Sequence, residues 1–197
     1  MIKMTNTTFN ESKDGLVPIA PGVYPAHVAA LESKELQTKA GEQTVFNITF
    51  VIADEVSDTK VAKLIKNGDG TYHAEKDEVT GEQVTISGSF MAGKRFNSRG
   101  IWLTPSPEDG QGWRNRQYKE FFESLGVVFP KNKAGDTVLA LVEESDIIGH
   151  PCFIKLQKEN YERDGEQRYV WKAFDAFPWS DGETLSADEV TVDDLPF

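Results

Sequence analysis

The chain has 197 residues, 27% of them charged, with 21 Lys and Arg against 32 Asp and Glu, for a formal net charge of −11. That length supports one cored domain with extensions. No apolar run approaches the ~20 residues of a membrane span. The lone Cys152 excludes an internal disulfide and fits a reducing cytoplasm. Taken whole, the charge argues against a polyanionic ligand, because phosphate binding needs a basic footprint.

Residues 1–20 are polar and read as a flexible lead-in before the turn at Pro21-Gly22. Val23 to Leu31 reads as a strand, and Pro25 suggests an edge or a bulge. Thr44 to Ile52 is the clearest strand. Phe46, Ile48, Phe50 and Ile52 share one face, and Val45, Asn47, Thr49 and Val51 share the other. Residues 54–82 form a long polar excursion. Within it, Asn67-Gly68 can close a hairpin between Val61–Ile65 and Thr71–Ala74. Val84 to Phe90 alternates again, with Val84, Ile86 and Phe90 inward and a bulge expected at Gly88. Ile101-Trp102-Leu103 is a short strand.

Tyr118, Phe121, Phe122 and Leu125 recur at helical spacing and Gly126 is a natural stop, which predicts a helix over 114–125. Thr137 to Ile148 suits a helix or a strand. Cys152 to Gln157 and Arg168 to Phe174 read as a terminal hairpin turning at Asp164-Gly165. An acidic tail, expected to be disordered, follows from 179 to 197. The predicted fold is mainly β: an OB-fold-like five-stranded barrel over 21–178, with one helix inserted before the last two strands. An immunoglobulin-like sandwich needs no such helix.

The charge is unevenly placed. Residues 175–197 hold seven acids and no Lys or Arg, so the other 174 residues carry 21 basic against 25 acidic side chains, a net of −4. Residues 90–133 hold eight basic and four acidic side chains, a net of +4. The same 44 residues contain eight of the 21 aromatics. Rings that stack bases beside cations that meet phosphates are the equipment of single-stranded nucleic-acid binding. The candidate DNA-binding residues are Lys94, Arg95, Phe96, Arg99, Trp102, Trp113, Arg114 and Arg116. Phe90, Trp102, Phe121 and Phe122 also suit core positions, and the Lys and Arg also suit a solvated face.

The chain closes on Val192-Asp193-Asp194-Leu195-Pro196-Phe197. A terminal Phe offers a ring and a carboxylate together, and neighbouring aspartates add attraction to a basic-rimmed pocket. Asp193, Asp194, Leu195, Pro196 and Phe197 resemble, in order, the tip of bacterial single-stranded DNA-binding proteins. The body lacks their long Gly/Gln/Pro-rich linker and is more similar to the bacteriophage single-stranded DNA-binding proteins. That resemblance implies non-enzymatic, sequence-independent binding and protection of single-stranded DNA in phage replication, recombination and repair. It implies a bacterial cytoplasmic setting, and a tail that screens the groove and recruits replication or recombination proteins. Self-association between monomer and dimer is compatible with it.

An alternative is an interaction module that binds a replication enzyme through the tail and has no DNA site. No catalytic or cofactor motif is present. His27, His73 and His150 lie far apart, so no metal is expected. Cys152 reads as a small core residue.

Overall fold

A computed structural model of the protein describes residues 18–39, 41–69, 71–105 and 112–190. The protein is mainly β. Strands β1 (Gly22–Thr38) and β2 (Gly41–Ile52) form a long antiparallel hairpin. The alternation of β2 sets its orientation: Phe46, Ile48, Phe50 and Ile52 are all buried in the core, because a period of two puts every second side chain on one face. Tyr24, Ala26 and Val28 of β1 join them from the neighbouring strand.

Contrary to the edge expected from Pro25, β1 is central, flanked by β2 and by β9 (Pro151–Arg163). Pro25 is tolerated because the β1–β2 ladder ends one residue away, at Ala26 opposite Ile52. Its carbonyl accepts from the Ala53 amide at 3.0 Å. In an antiparallel strand the N–H of the same residue faces the same way, so the absent donor faces β2 just past the end of that ladder and the β1–β9 pairing loses none. The expected bulge falls later, between Val28 and Ala30.

The excursion is a small arm made of paired short strands. A 3₁₀ turn (Asp54–Asp58) leads to β3 (Lys60–Ala62) and β4 (Leu64–Lys66), which pair with β6 (Thr85–Ser87) and β5 (Tyr72–Ala74) respectively. The predicted hairpin is therefore present with narrower strands. Val84–Phe90 is not one strand of the main sheet. It stops at Gly88, where a Cβ would lie 2.5 Å from the Val56 carbonyl oxygen, and Gly88–Met91 turns as 3₁₀.

Two three-residue strands, β7 (Arg95–Asn97) and β8 (Ile101–Leu103), pair successively with β2. The main sheet runs β10-β9-β1-β2-β7, with β8 following β7 along β2 and β10 spanning Glu166–Pro178. The β9–β10 hairpin turns at Asp164-Gly165, both in the left-handed region at φ 58° and 78°. The sheet is not closed into a barrel. One parallel bridge, Ser98 to Ala173, spans its two edges, with the Arg99 amide donating to the Ala173 carbonyl at 3.1 Å.

Helix α1 (Gly112–Ser124) lies between β8 and β9 in the chain and buries Tyr118, Phe121 and Phe122. Tyr118 and Phe122 meet Phe46 at ring-centroid distances of 5.2 and 5.6 Å. The Tyr118 hydroxyl donates to the Ala140 carbonyl at 2.8 Å and accepts from the Val142 amide at 3.1 Å. Those two bonds fix the chain at 140–142, and 137–148 runs without regular structure into a 3₁₀ turn at Glu144–Asp146, neither the helix nor the ladder strand that its composition allows.

Residues 179–190 correct the expected boundary of the tail. They pack onto the outward side of the sheet. Trp179 meets His27 and Phe153 at 5.7 and 5.4 Å, and His27 bonds the Glu183 carbonyl at 2.9 Å. The Leu185 amide donates to the Gly149 carbonyl at 3.0 Å. The short helix α2 (Ala187–Val190) buries Val190 against Ala29 and Val51. Three apolar side chains spread through an acidic stretch are enough to hold it down, because each removes apolar surface from water.

Candidate nucleic-acid interface

The side chains of β2 that face away from the core are Val45, Asn47, Thr49 and Val51. Register sets their neighbours: Arg95 lies opposite Val51, Asn97 opposite Thr49 and Trp102 opposite Val45. The Thr49 hydroxyl donates to the Asn97 side-chain oxygen at 3.0 Å. A strip of about 20 Å results, taking the ~3.4 Å rise per residue of an antiparallel strand; Asn47 is exposed and Thr49 half-buried, while Val45 and Val51 at its ends are covered by their neighbours. None of these seven residues is acidic.

The Trp102 end is built most carefully. A Cβ on Gly100 would fall 2.9 Å from Val45 Cγ2 and 3.4 Å from Trp102 Nε1, so glycine makes room for the indole to lie along the strand. Helix α1 enters here because the Asn115 side chain bonds both polar groups of the Thr104 backbone, each at 2.9 Å. That clamp sets Arg114 over Trp102. Its guanidinium is 5.4 Å from the Trp102 ring and 5.5 Å from the Trp113 ring, and donates to the Gln43 side-chain oxygen at 2.5 Å. A planar cation between two indoles is held by the ring quadrupoles. Trp113 is 55% exposed, so one ring of this group is free to meet a ligand.

At the other end, Arg95 Nη2 donates to the Val190 carbonyl at 3.2 Å. The last described residue of the chain is thereby held against the strip. The residues of the acidic tip, Asp193, Asp194, Leu195, Pro196 and Phe197, lie outside the described residues.

The eight candidates are not brought to one place. Arg95, Trp102, Trp113 and Arg114 belong to the strip. Phe96 turns inward opposite Phe50 and is 6% exposed, so it packs the core and presents no ring to solvent. Arg99 sits at the seam between the sheet edges, 4.5 Å from the Phe174 ring and 3.6 Å from the Glu159 carboxylate. Arg116 lies on another flank of α1, beside Lys119 and Thr137. Lys94 lies 5.4 Å from the Phe90 ring and lines a cleft beside the arm. Burial holds its ammonium below the usual lysine value.

Asn97 carries no local sequence signal, and only its pairing opposite Thr49 of β2 places it on the strip. The Val190 contact had no sequence signal beyond an apolar residue in an acidic run.

Cys152 is fully buried, and desolvation pushes its thiol up to about 12. Among the described residues, no three His, Cys, Asp or Glu side chains are grouped to hold a metal ion, and no helix is long and apolar enough to cross a membrane. No protein-family model, curated protein or solved structure matches the chain.

Proposed function

We propose that the protein binds single-stranded DNA without sequence preference, along the outward face of β2, β7 and β8. The observation that carries this reading is the Trp102–Arg114–Trp113 group at one end of a strip that ends on Arg95, with Glu32 of β1, opposite Asn47, as the acidic register partner of β2 on that face. Indoles stack any base, and guanidinium groups meet any phosphate, so the pair is indifferent to sequence. The binding is stoichiometric and no bond is broken.

The strand order, the helix between β8 and β9 and the parallel bridge between the edges support an OB-type plan. The strip then lies on the sheet face that such folds use for oligonucleotides. Membership among the phage single-stranded DNA-binding proteins remains a proposal resting on the tip residues 193–197 and on this plan.

The acidic tail is the regulator in this reading. Because Arg95 holds the Val190 carbonyl, the tail leaves the body beside the strip. Its aspartates can compete with phosphates for the same cations, and a DNA phosphate that takes Arg95 releases the tail toward replication or recombination proteins.

Fluorescence anisotropy with labelled oligo-dT tests the reading. Saturable binding at low salt, weakening linearly in log K against log salt, is expected from counterion release. Absence of binding in the intact and in the tail-deleted protein would favour an interaction module that works through its tail alone.

A further inference from the structure

The strip accounts for neither Lys94 nor the arm. Between the arm and the β9–β10 hairpin lies a cleft of 290 Å³ lined by Leu64, Tyr72, Lys94, Lys158, Tyr169 and Trp171, together with Pro18 and Ile19. Pairing across the hairpin places Trp171 opposite Lys158 and Tyr169 opposite Asn160, so the two rings stand on the same side of β10. Tyr72 reaches the cleft from β5 of the arm.

Lys158 Nζ is 4.3 Å from the Tyr169 ring and 5.5 Å from the Trp171 ring, and Lys94 Nζ is 5.4 Å from the Phe90 ring. Among the described residues, neither ammonium meets a carboxylate within ion-pair distance, and no Asp or Glu lines the cleft. Glu159, the acidic neighbour in sequence, faces the opposite side, where it pairs with Arg99 and Lys172. Two cations thus rest on aromatic faces with no anion to balance them. Tyr169 is 53% exposed and Tyr72 38%, so both rings can be reached from solvent.

The geometry points to a second subsite for single-stranded nucleic acid in this cleft. A base enters against Tyr169 or Tyr72, and Lys158 and Lys94 move from the ring faces to the flanking phosphates. The inference rests on the single-strand reading of the strip and extends it. Arg95 of the strip and Lys94 of the cleft are consecutive, with Cα atoms ~3.8 Å apart, and they serve opposite sides of the chain. A strand that runs along β2 to Arg95 therefore needs only to cross the start of β7 to reach the cleft. The arm, whose polar composition gave it no role, supplies one wall.

The test is a length series of oligo-dT titrated by anisotropy against wild type, Tyr169→Ala, Tyr72→Ala and Lys158→Gln, each with and without residues 191–197. All three side chains are at the surface, and circular dichroism checks that the variants fold. The expected result is that long oligonucleotides lose roughly 5- to 150-fold in affinity for each stacking ring removed. Short ones that fill only the strip are unaffected. Lys158→Gln should also flatten the salt slope by ~0.7 for long oligonucleotides, the single-strand value for one phosphate.

Wild-type affinity in all three variants at every length, with Trp113→Ala still weakening binding, overturns the cleft and leaves the strip standing. If the variants matter only while residues 191–197 are present, the cleft holds the acidic tail, and the proposal fails. If wild type and tail-deleted protein bind no oligonucleotide, both readings fall.

Discussion

Replacing Trp113 with Ala removes the most exposed ring of the proposed interface. The indole is 55% exposed and is absent from the core cluster, so the fold loses little. Its one described ring contact is with the Arg114 guanidinium, at 5.5 Å. An exposed cation–π contact is worth ~0.5–1 kcal/mol, and Arg114 keeps both Trp102 and its bond to Gln43. Thermal unfolding should therefore fall by only a few degrees. Binding has more to lose. A stacked base contributes ~1–3 kcal/mol, which is a loss of roughly 5- to 150-fold in Kd for oligo-dT. Anisotropy titration at fixed low salt measures it, with a melting curve of the same sample as control. An unchanged Kd would falsify the assignment of Trp113 to base stacking, and a large fall in melting temperature would show that the ring is structural.

Four further outcomes follow from the geometry. Arg95→Gln should reduce the slope of log K against log salt by ~0.7, one single-strand phosphate; an unaltered slope would remove Arg95 from the interface. Gly149→Ala places a Cβ against the Leu185 carbonyl at a backbone φ of +76°, where side chains are strained. Limited proteolysis should then cut within 179–190 while the core resists, and equal protection in both proteins would refute the docking of that segment. Phe122→Ala should cost ~3–5 kcal/mol in denaturant unfolding, because the ring is fully buried between Tyr118 and Phe46; a loss under ~1 kcal/mol would contradict the packing. Burial raises Cys152 from 9.0, and Tyr24 and Tyr118 from 10.0, to about 12. All three are protonated in both states below about pH 8. Above that the unfolded chain ionises first, so stability should fall as pH rises from about 8 to 12, and a flat profile over that window would contradict their burial.

The sequence shows the core and hides the interface for physical reasons. The alternation of Thr44–Ile52 and the spacing of Tyr118, Phe121, Phe122 and Leu125 are local signals of apolar faces, and both elements form where they predict. Strand β7 has one apolar residue, Phe96, between Arg95 and Asn97, too short a pattern to stand out. Only pairing with β2 reveals that Phe96 faces the core while its neighbours face outward.

The strip could be half-read, because Trp113 and Arg114 are adjacent and Trp102 is near. The cleft could not. Tyr72, Lys94, Lys158 and Trp171 are scattered over a hundred residues, and only the arm and the hairpin register bring them together. The acidic C-terminal stretch misled in the other direction. Its charge density masks Trp179, Leu185 and Val190, which are too widely spaced to read as periodic yet suffice to bind residues 179–190 to the sheet.

The net charge is unevenly divided along the chain. Seven of the acids lie in residues 175–197, and among the strip's residues and their β1 register partners Glu32 alone is acidic. A total of −11 therefore describes the protein as a whole and not the proposed binding face.

The most direct measurement is ultraviolet crosslinking of the intact protein to a 5-bromouracil-substituted oligonucleotide, with the attachment sites read by peptide mass spectrometry. The account predicts adducts at Trp113 and Trp102, strongest at low salt and stronger still after residues 191–197 are removed. Adducts confined to surfaces away from β2, β7, β8 and the start of α1, or no salt-sensitive adduct at all, would contradict it.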